Sequence, residues 1–357
     1  MSFSSSERKE AAALALGWFR RNARPLPWRE GRDPYKILVS EFMLQQTRVE
    51  TALPYFTRWV KRYPDLASLA RADEADVEKL WEGLGYYSRC RSLLAAARAM
   101  TQEGLDKPPP STEALLRYPG IGPYTAGAVA SIAYNLPVPA VDGNVERVTS
   151  RLLNLTEPAG SPALKRLASK SVLAMMPKGE ACDFNQALME LGALVCLPKL
   201  PACLECPWGA LCLARKLGVQ TQRPLTRPRP VVEKISAWGA LFFYEDFCLL
   251  RRRPREGLWS GLWEVPWFPR EGEDALAEVG AWARAVGIEC LSCRELGVAR
   301  FSFTRYRVTA WVAACETALS PVFREKTSLG EWGLHTPDAL ERVTLPAPSR
   351  KFLALLK

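Results

Sequence analysis

The stretch LRYPGIGPYTAG, from Leu116 to Gly127, decides how the chain is to be read. A helical segment stops at Tyr118-Pro119, two glycines follow, and Pro123 then stands where a proline starts a new helix well. Gly120 and Gly122 remove side chains from the turn, so backbone N–H groups can approach an anion. The N-terminus of the following helix adds the positive end of its dipole. The same residues also suit a plain tight turn between helices, so a phosphate grip needs support from elsewhere.

Downstream, PAVDGNVER (Pro139 to Arg147) sets Asp142 between an apolar run and a glycine, where the chain turns into a helix. Asp142 suits a helix N-cap as well as a catalytic anion. Further on, Cys196, Cys203, Cys206 and Cys212 are spaced C-x6-C-x2-C-x5-C. Four thiolates so close in sequence can surround one tetrahedral Zn2+ or cap one [4Fe–4S] cube. Only one close pair is present where zinc knuckles use two, which favours the cluster. Upstream, ILVSEFMLQQT (Ile37 to Thr47) follows Asp33-Pro34, an N-cap with proline at the first helical position. This core-like helix carries an ionisable Glu41 among Ile37, Leu38, Phe42, Met43 and Leu44. Leu38 and Leu44 share its face, and apolar surroundings keep a carboxyl group protonated towards neutral pH.

The 357 residues suffice for two domains with separate cores. Lys plus Arg number 48 against 38 Asp plus Glu, and the net charge of +10 is compatible with a polyanionic partner such as nucleic acid. No apolar run is long enough to span a membrane, and MSFSSSERKE lacks the apolar stretch of a secretory signal. A cytoplasmic protein without a disulfide framework is therefore expected. The pattern is helical from Glu7 to Leu217, with helices expected over 67–81 and 88–100. Thr47 and Glu50 have capping-box spacing. A linker rich in proline and arginine fills 218–234. From Ile235 the pattern becomes β-like. ISAWGALFFYEDFCLLRRR gives two strands joined at Glu245-Asp246, and FSFTRYRVTAWVAA from Phe301 gives a further strand or hairpin arm. AEVGAWARAVG gives one helix, so 235–357 form an α+β domain. Cys290 and Cys293 read as two core-facing thiols, and His335, the sole histidine, as a surface residue.

Hairpin, aspartate and four-cysteine loop in this order resemble the helix-hairpin-helix DNA glycosylases of the endonuclease III superfamily. Within it, PLPWR (Pro25 to Arg29), VSEFMLQQTRVET (Val39 to Thr51), WEGLGYYSR (Trp81 to Arg89), GPYTAGA (Gly122 to Ala128), AVDGNVERV and FNQALMELGALVC (Phe184 to Cys196) are similar to the adenine DNA glycosylase (MutY) branch. That likeness covers almost all of residues 7–217. GLWSGLWEVP (Gly257 to Pro266) resembles the branch's Nudix-like domain more loosely. The resemblance implies a multidomain protein. An all-α helix-hairpin-helix glycosylase domain (1–217) holds a [4Fe–4S] cluster on the four cysteines, and an α+β Nudix-like domain follows. Where a Nudix hydrolase carries a metal-binding REXXEE helix, AEVGAWARAVG offers only Glu278, so the domain is expected to recognise rather than hydrolyse.

The resemblance also implies a function. A monomeric, nucleoid-associated bacterial enzyme would hydrolyse the N-glycosidic bond of adenine opposite 8-oxoguanine or guanine in double-stranded DNA, after flipping the base out. Glu41 would protonate N7 of adenine, Asp142 would stabilise the oxocarbenium-like sugar, and Tyr124 and Asn144 would hold and tune both. Tyr124 stands where the endonuclease III branch has its Schiff-base lysine, which implies a monofunctional enzyme that leaves an abasic site. Arg24, Trp28, Arg29, Leu44, Val49 and Gln186 would surround the adenine. Gln46, Thr47, Leu84 and Tyr86 would probe the opposite base, with Tyr86 as the wedge, while Gly120 and Gly122 grip a phosphate. Members of the branch often carry a Phe-Ser-His loop for 8-oxoguanine. Here Phe301-Ser302-Phe303-Thr304 leaves Ser302 alone for that contact.

Overall fold

The computed structural model describes residues 3–226, 231–319, 326–327 and 330–356. Pro228 and Pro230 of the expected linker lie outside the described residues. Two units emerge, one of Met1–Ala72 with Ser92–Pro228 and one of Asp73–Arg91 with Arg229–Lys357. The segment Asp73–Arg91, helical by sequence and inside the expected first domain, thus groups with the strand-bearing unit.

The first unit is helical. Asp33 accepts hydrogen bonds from the backbone N–H groups of Tyr35 (2.9 Å) and Lys36 (3.3 Å), and Pro34 opens the helix Pro34–Leu44. Ile37, Leu38, Phe42 and Met43 are fully buried there. At roughly 2 kcal/mol each, their burial outweighs the cost of placing Glu41 on the same helix. The next helix, Val49–Arg62, takes Arg48 as its N-cap with no side-chain bond, so the expected Thr47–Glu50 capping box does not form. The turn Leu44–Thr47, closed by Thr47 N–H to Leu44 C=O, places Thr47 one residue too early for that role. The segment 67–81 is two helices rather than one, Leu66–Ala70 and Glu74–Trp81, because Asp65 and Asp73 each cap a separate start.

The hairpin joins the short helix Thr112–Leu115 to the helix Pro123–Tyr134, with Gly122 as N-cap and Pro123 at its first position. Gly120 has φ +73°, and a Cβ there would stand 2.5 Å from the Ser92 Cβ and 3.0 Å from the Phe42 ring. Only glycine meets both demands. Gly122 is different: a Cβ there would meet open space, so its value lies in what approaches from outside. After the helices Gly143–Leu153, Pro162–Met175 and Ala181–Leu194 the chain enters the cysteine loop. The start of the expected linker is pinned rather than free. Arg223 bonds to the Asn154 side chain, its carbonyl accepts from Arg151, and Leu225 C=O accepts from Ala159 N–H.

The second unit is built on a single sheet. Its strands are β1 (Glu233–Tyr244), β2 (Phe247–Arg252), β3 (Trp263–Glu264), β4 (Trp267–Pro269), β5 (Ile288–Phe303), β6 (Tyr306–Leu319), β7 (Lys326–Thr327) and β8 (Gly330–His335). Their order is β5-β6-β1-β2-β8-β7, with β3 on β2 and β4 on β1; β1 and β6 are parallel and the other pairs antiparallel. The turn at Glu245-Asp246 falls where expected. FSFTRYRVTAWVAA is not one strand, because Thr304, with φ +45°, turns β5 into β6. The helix Ala275–Arg284 covers one face of the sheet and the helix Ala347–Leu353 buries Phe352 on the other, each with its own apolar cluster. Glu82, from the segment Asp73–Arg91, joins this unit through an ion pair with Arg350 (2.6 Å). His335 is half-buried edge-on to the Trp263 ring (4.9 Å) rather than free on the surface, and burial lowers its pKa.

Candidate active site

Glu41 is 5% exposed, and the Tyr124 hydroxyl donates to its Oε2 at 2.6 Å. Two helices make this pair, Pro34–Leu44 bringing the acid and Pro123–Tyr134, directly after the hairpin, bringing the phenol. Burial pushes the Glu41 carboxyl up to about 7; the Tyr124 bond opposes the shift, the negative field of Asp142 adds to it, and Arg29 pulls the other way. The Tyr124 phenol itself lies well above its usual range, first through burial and then through the carboxylates beside it.

Asp142 takes the helix N-cap role that its position in the sequence allows. Its Oδ1 caps the helix Gly143–Leu153 by accepting from Val145 N–H at 2.7 Å, and its Oδ2 accepts from Asn144 Nδ2 at 2.9 Å. Burial raises its pKa, while these two bonds favour the anion. The carboxyl groups therefore sit in different settings. Glu41 has a single donor in an apolar wall, whereas Asp142 is held by donors that reward its charge.

Several residues that fix this geometry escaped the sequence reading. Asn185, fully buried, accepts from Ala140 N–H (2.9 Å) and donates to Val138 C=O (2.9 Å), which fixes the approach to Asp142. A Cβ on Gly192 would stand 2.6 Å from the Asn144 Cβ, so that glycine lets the helix Ala181–Leu194 close on Asn144. Arg147 donates to Asn144 Oδ1 (2.8 Å) and also to the carbonyls of Gly192 (2.9 Å) and Cys196 (2.9 Å). Glu190 is 2% exposed and pairs with both Arg24 (2.8 Å) and Arg29 (2.9 Å). Burial alone would raise its pKa, but the two guanidiniums override this and hold it near 2. The quoted stretch FNQALMELGALVC contained Asn185, Glu190 and Gly192, but nothing in their spacing distinguished them from a core helix.

Of the other expected contacts, Trp28 is buried edge-on to Phe56 (5.1 Å), and Gln186 is buried with its amide towards Cys182. Leu44, Thr47 and Val49 are half-buried, while Gln46 is exposed with φ +60°. Leu84, Tyr86 and Ser302 belong to the second unit. Leu84 is buried there, and Tyr86 is 55% exposed with φ +48°. The Arg89 guanidinium stacks on both the Tyr86 and Trp81 rings. An exposed aromatic in a left-handed conformation costs about 1–2 kcal/mol. Ser302 points outward at the end of β5, opposite Arg307, which is itself opposite Lys234 on β1. It lines a cavity with Lys234, Arg300, Arg307 and Trp311, while Phe301 and Phe303 turn inward among Trp259 and Trp267.

Cys196, Cys203, Cys206 and Cys212 line one small cavity together with Arg151, and none is in a disulfide. Among the described residues no group of three or more His, Cys, Asp or Glu converges on a point that could hold one metal ion. A shared cavity of thiols suits a multi-atom cluster better than a single Zn2+, which needs its ligands drawn in to about 2.3 Å. Arg151 is 2% exposed, donates to Cys196 Sγ at 3.3 Å and holds the loop carbonyls of Leu197 and Pro198 at 2.7 Å. A buried cation there would offset the charge of these thiols once a bound metal ionises them.

A buried acid beside a hairpin-borne phenol, a capped aspartate and a four-cysteine loop defines a helix-hairpin-helix base-excision repair protein. Residues 39–172 match the HhH-GPD superfamily of base excision DNA repair proteins, and residues 237–355 match the NUDIX domain. The chain belongs to the adenine DNA glycosylases. It is 32% identical over 256 residues to the adenine DNA glycosylase of Buchnera aphidicola subsp. Schizaphis graminum, covering 71% of this chain and 74% of that protein. It is 34% identical over 309 residues to the Arabidopsis thaliana adenine DNA glycosylase, covering 74% of this chain but only 48%, about half, of that longer protein. Among solved structures, a thermostable thymine-DNA glycosylase superposes with a TM-score of 0.53 at 28% identity, covering 59% of this chain and 98% of that one. The first unit thus has the helical glycosylase fold and the second is Nudix-like. Among the described residues no helix is long and apolar enough to cross a membrane.

Proposed function

We propose that the chain hydrolyses the N-glycosidic bond of adenine mispaired with 8-oxoguanine or guanine in duplex DNA and releases an abasic product. The observation that carries this reading is the Glu41–Tyr124 bond at 2.6 Å with Asp142 close enough to raise the Glu41 pKa. Departure of adenine requires a proton on the base and negative charge near the sugar, and two carboxyl groups of unlike pKa supply both. Glu41, half protonated near pH 7, gives its proton to N7. The same carboxylate then orients the attacking water, and Tyr124 limits how far it turns. Asp142, whose carboxylate oxygens accept from Val145 N–H and Asn144, stabilises the oxocarbenium-like sugar. Family membership supports the choice of adenine. Tyr124, where a lysine would form a Schiff base, supports a monofunctional enzyme.

The Arg24–Glu190–Arg29 network with Trp28 forms the polar wall expected to read the flipped base. Gly120 and Gly122 with the helix N-terminus at Pro123 suit a phosphate, and Gln46, Thr47, Leu84 and Tyr86 suit the opposite strand. The basic row Lys234–Arg307 beside Ser302 suits the lesion-bearing strand. A [4Fe–4S] cluster, held by Cys196, Cys203, Cys206 and Cys212, would order the loop that Arg147 ties to Asn144. The enzyme acts as a cytoplasmic monomer on the chromosome. The test is a single-turnover assay on a duplex containing A opposite 8-oxoguanine, followed by alkali. Adenine release with strand cleavage only after alkali is expected, and Glu41→Gln should bind the duplex but release no base. Cleavage without alkali, or full activity of the Glu41→Gln variant, refutes the assignment.

A further inference from the structure

The second unit holds a thiol cluster that the glycosylase reaction does not use. On a regular strand Cys290 and Cys293 would point to opposite faces. In β5 they do not: Cys290 is opposite Thr317, Ser292 opposite Glu316 and Cys293 opposite Cys315, so Leu291 is the extra residue of a bulge. The bulge restores both thiols to the face on which Cys315 and Thr317 stand. That face packs beneath the helix Ala275–Arg284, where all three cysteines adjoin one apolar cluster. The Sγ atoms of Cys293 and Cys315 are 2.6 Å apart, closer than two unbonded sulfurs rest, and Cys290 also reaches Cys315. Directly opposed residues of an antiparallel ladder have Cα atoms roughly 4.5–5.5 Å apart, within the range that a disulfide bridges.

We propose that Cys293 and Cys315 form an oxidisable cross-strand dithiol that reacts with small-molecule disulfides, with Cys290 as a third thiol able to exchange into the bond. Access and reactivity are divided among the three. Cys315 is fully buried, whereas Cys290 and Cys293 are half-buried and open to attack from solvent. The Cys315 side chain beside them lowers the pKa of both Cys290 and Cys293, and the Arg284 guanidinium adds to this at Cys290. Cys90 and Cys248, by contrast, are isolated and raised by burial, the state of an inert core thiol. The Cys293 thiolate attacks one sulfur of a disulfide R–S–S–R; the S–S bond breaks and RS− leaves to take a proton from water. Cys315 then gives up its proton and attacks the Cys293 sulfur, forming Cys293–Cys315 and expelling the second RSH. Two protein thiols are oxidised and one R–S–S–R is reduced to two RSH. Transfer of the bond to Cys290 exchanges partners without net oxidation. The bond would staple β5 to β6, the hairpin whose turn lies next to Ser302.

The experiment treats the full chain with oxidised glutathione, blocks remaining thiols with N-ethylmaleimide and maps peptides without reduction. The expected result is a Cys293–Cys315 cross-link that dithiothreitol reverses, with two fewer thiols blocked. The link should persist in Cys290→Ser. In Cys315→Ser, Cys293 should instead hold a glutathione adduct. Cys293→Ser, at a half-buried position, supplies a second variant and should lose the link. Full maleimide labelling of both Cys293 and Cys315 in oxidised wild-type protein overturns the proposal.

Discussion

The alkaline limb of the pH–rate profile follows from the setting of Glu41. Its pKa near 7 means that about half of the molecules carry the proton at pH 7, about one in eleven at pH 8 and about one in a hundred at pH 9. The single-turnover rate of adenine release should therefore fall about fivefold from pH 7 to pH 8 and about tenfold per unit beyond. DNA phosphates nearby can only move that limb upwards, since added negative charge favours the neutral acid. Tyr124→Phe sharpens the test, because the phenol's bond holds the Glu41 pKa down and its loss must move the limb to higher pH. Folding carries the same signature. An acid whose pKa rises from 4.5 to about 7 on folding contributes nothing below pH 4.5, and stability then declines until pH 7. The shift corresponds to a loss of roughly 3 kcal/mol, which Glu41→Gln should abolish in denaturant titrations at pH 5 and pH 8. A rate flat from pH 7 to pH 9, with wild type and Glu41→Gln losing stability in parallel, refutes the assignment of Glu41 as a buried proton donor.

Glu190 should show the opposite sign. Held near 2 against an ordinary 4.5, it contributes stability above pH 4.5 that is lost as pH falls towards 2. The loss is roughly 3 kcal/mol, and acid titration of Glu190→Gln should lack that step; an unchanged acid transition counts against the double pairing. Gly120→Ala should cost about 2–4 kcal/mol in denaturant titration, from left-handed backbone strain and the clash with Ser92. Gly122→Ala should leave stability within about 1 kcal/mol yet weaken duplex binding in a fluorescence titration, and equal binding by that variant would remove the hairpin from the phosphate contact. Ser302→Ala should narrow the preference for A opposite 8-oxoguanine over A opposite guanine, with rates on undamaged mispairs unchanged. An unaltered ratio of single-turnover rates on the two duplexes sinks the lesion-contact reading.

What sequence could show divides along physical lines. Glu41, Asp142 and the four cysteines stood out because each breaks a local rule: an acid in an apolar helix, a carboxylate at a helix start, clustered thiols; Tyr124 was singled out only by the family resemblance. Asn185, Glu190 and Arg151 were not, because a polar residue on a helix looks solvated until its partners appear from 40 or more residues away. The strand expectations held where a turn residue punctuated them, as at Glu245-Asp246. At Thr304 a left-handed turn, with no glycine to announce it, divides the expected strand or hairpin arm between β5 and β6. Cys290 and Cys293 face the core as expected, although a period of two would put them on opposite faces; the bulge at Leu291 reunites them.

Asp142 shows why two readings of one residue need not compete. A helix N-cap and an oxocarbenium-stabilising anion ask for the same thing, donors that favour the charged carboxylate in a place where burial opposes it. Val145 N–H takes one oxygen for the cap, and Asn144, pinned by Arg147, takes the other. Arg147 in turn holds the carbonyl of Cys196, the first residue of the cysteine loop. A disturbance of that loop therefore reaches the anion in three hydrogen-bonded steps, Cys196 to Arg147, Arg147 to Asn144 and Asn144 to Asp142. No corresponding hydrogen-bonded chain is needed for Glu41, whose pKa is set chiefly by the apolar wall of its own helix. Substitution of the loop cysteines should accordingly damage the sugar-stabilising half of the site before the proton-donating half.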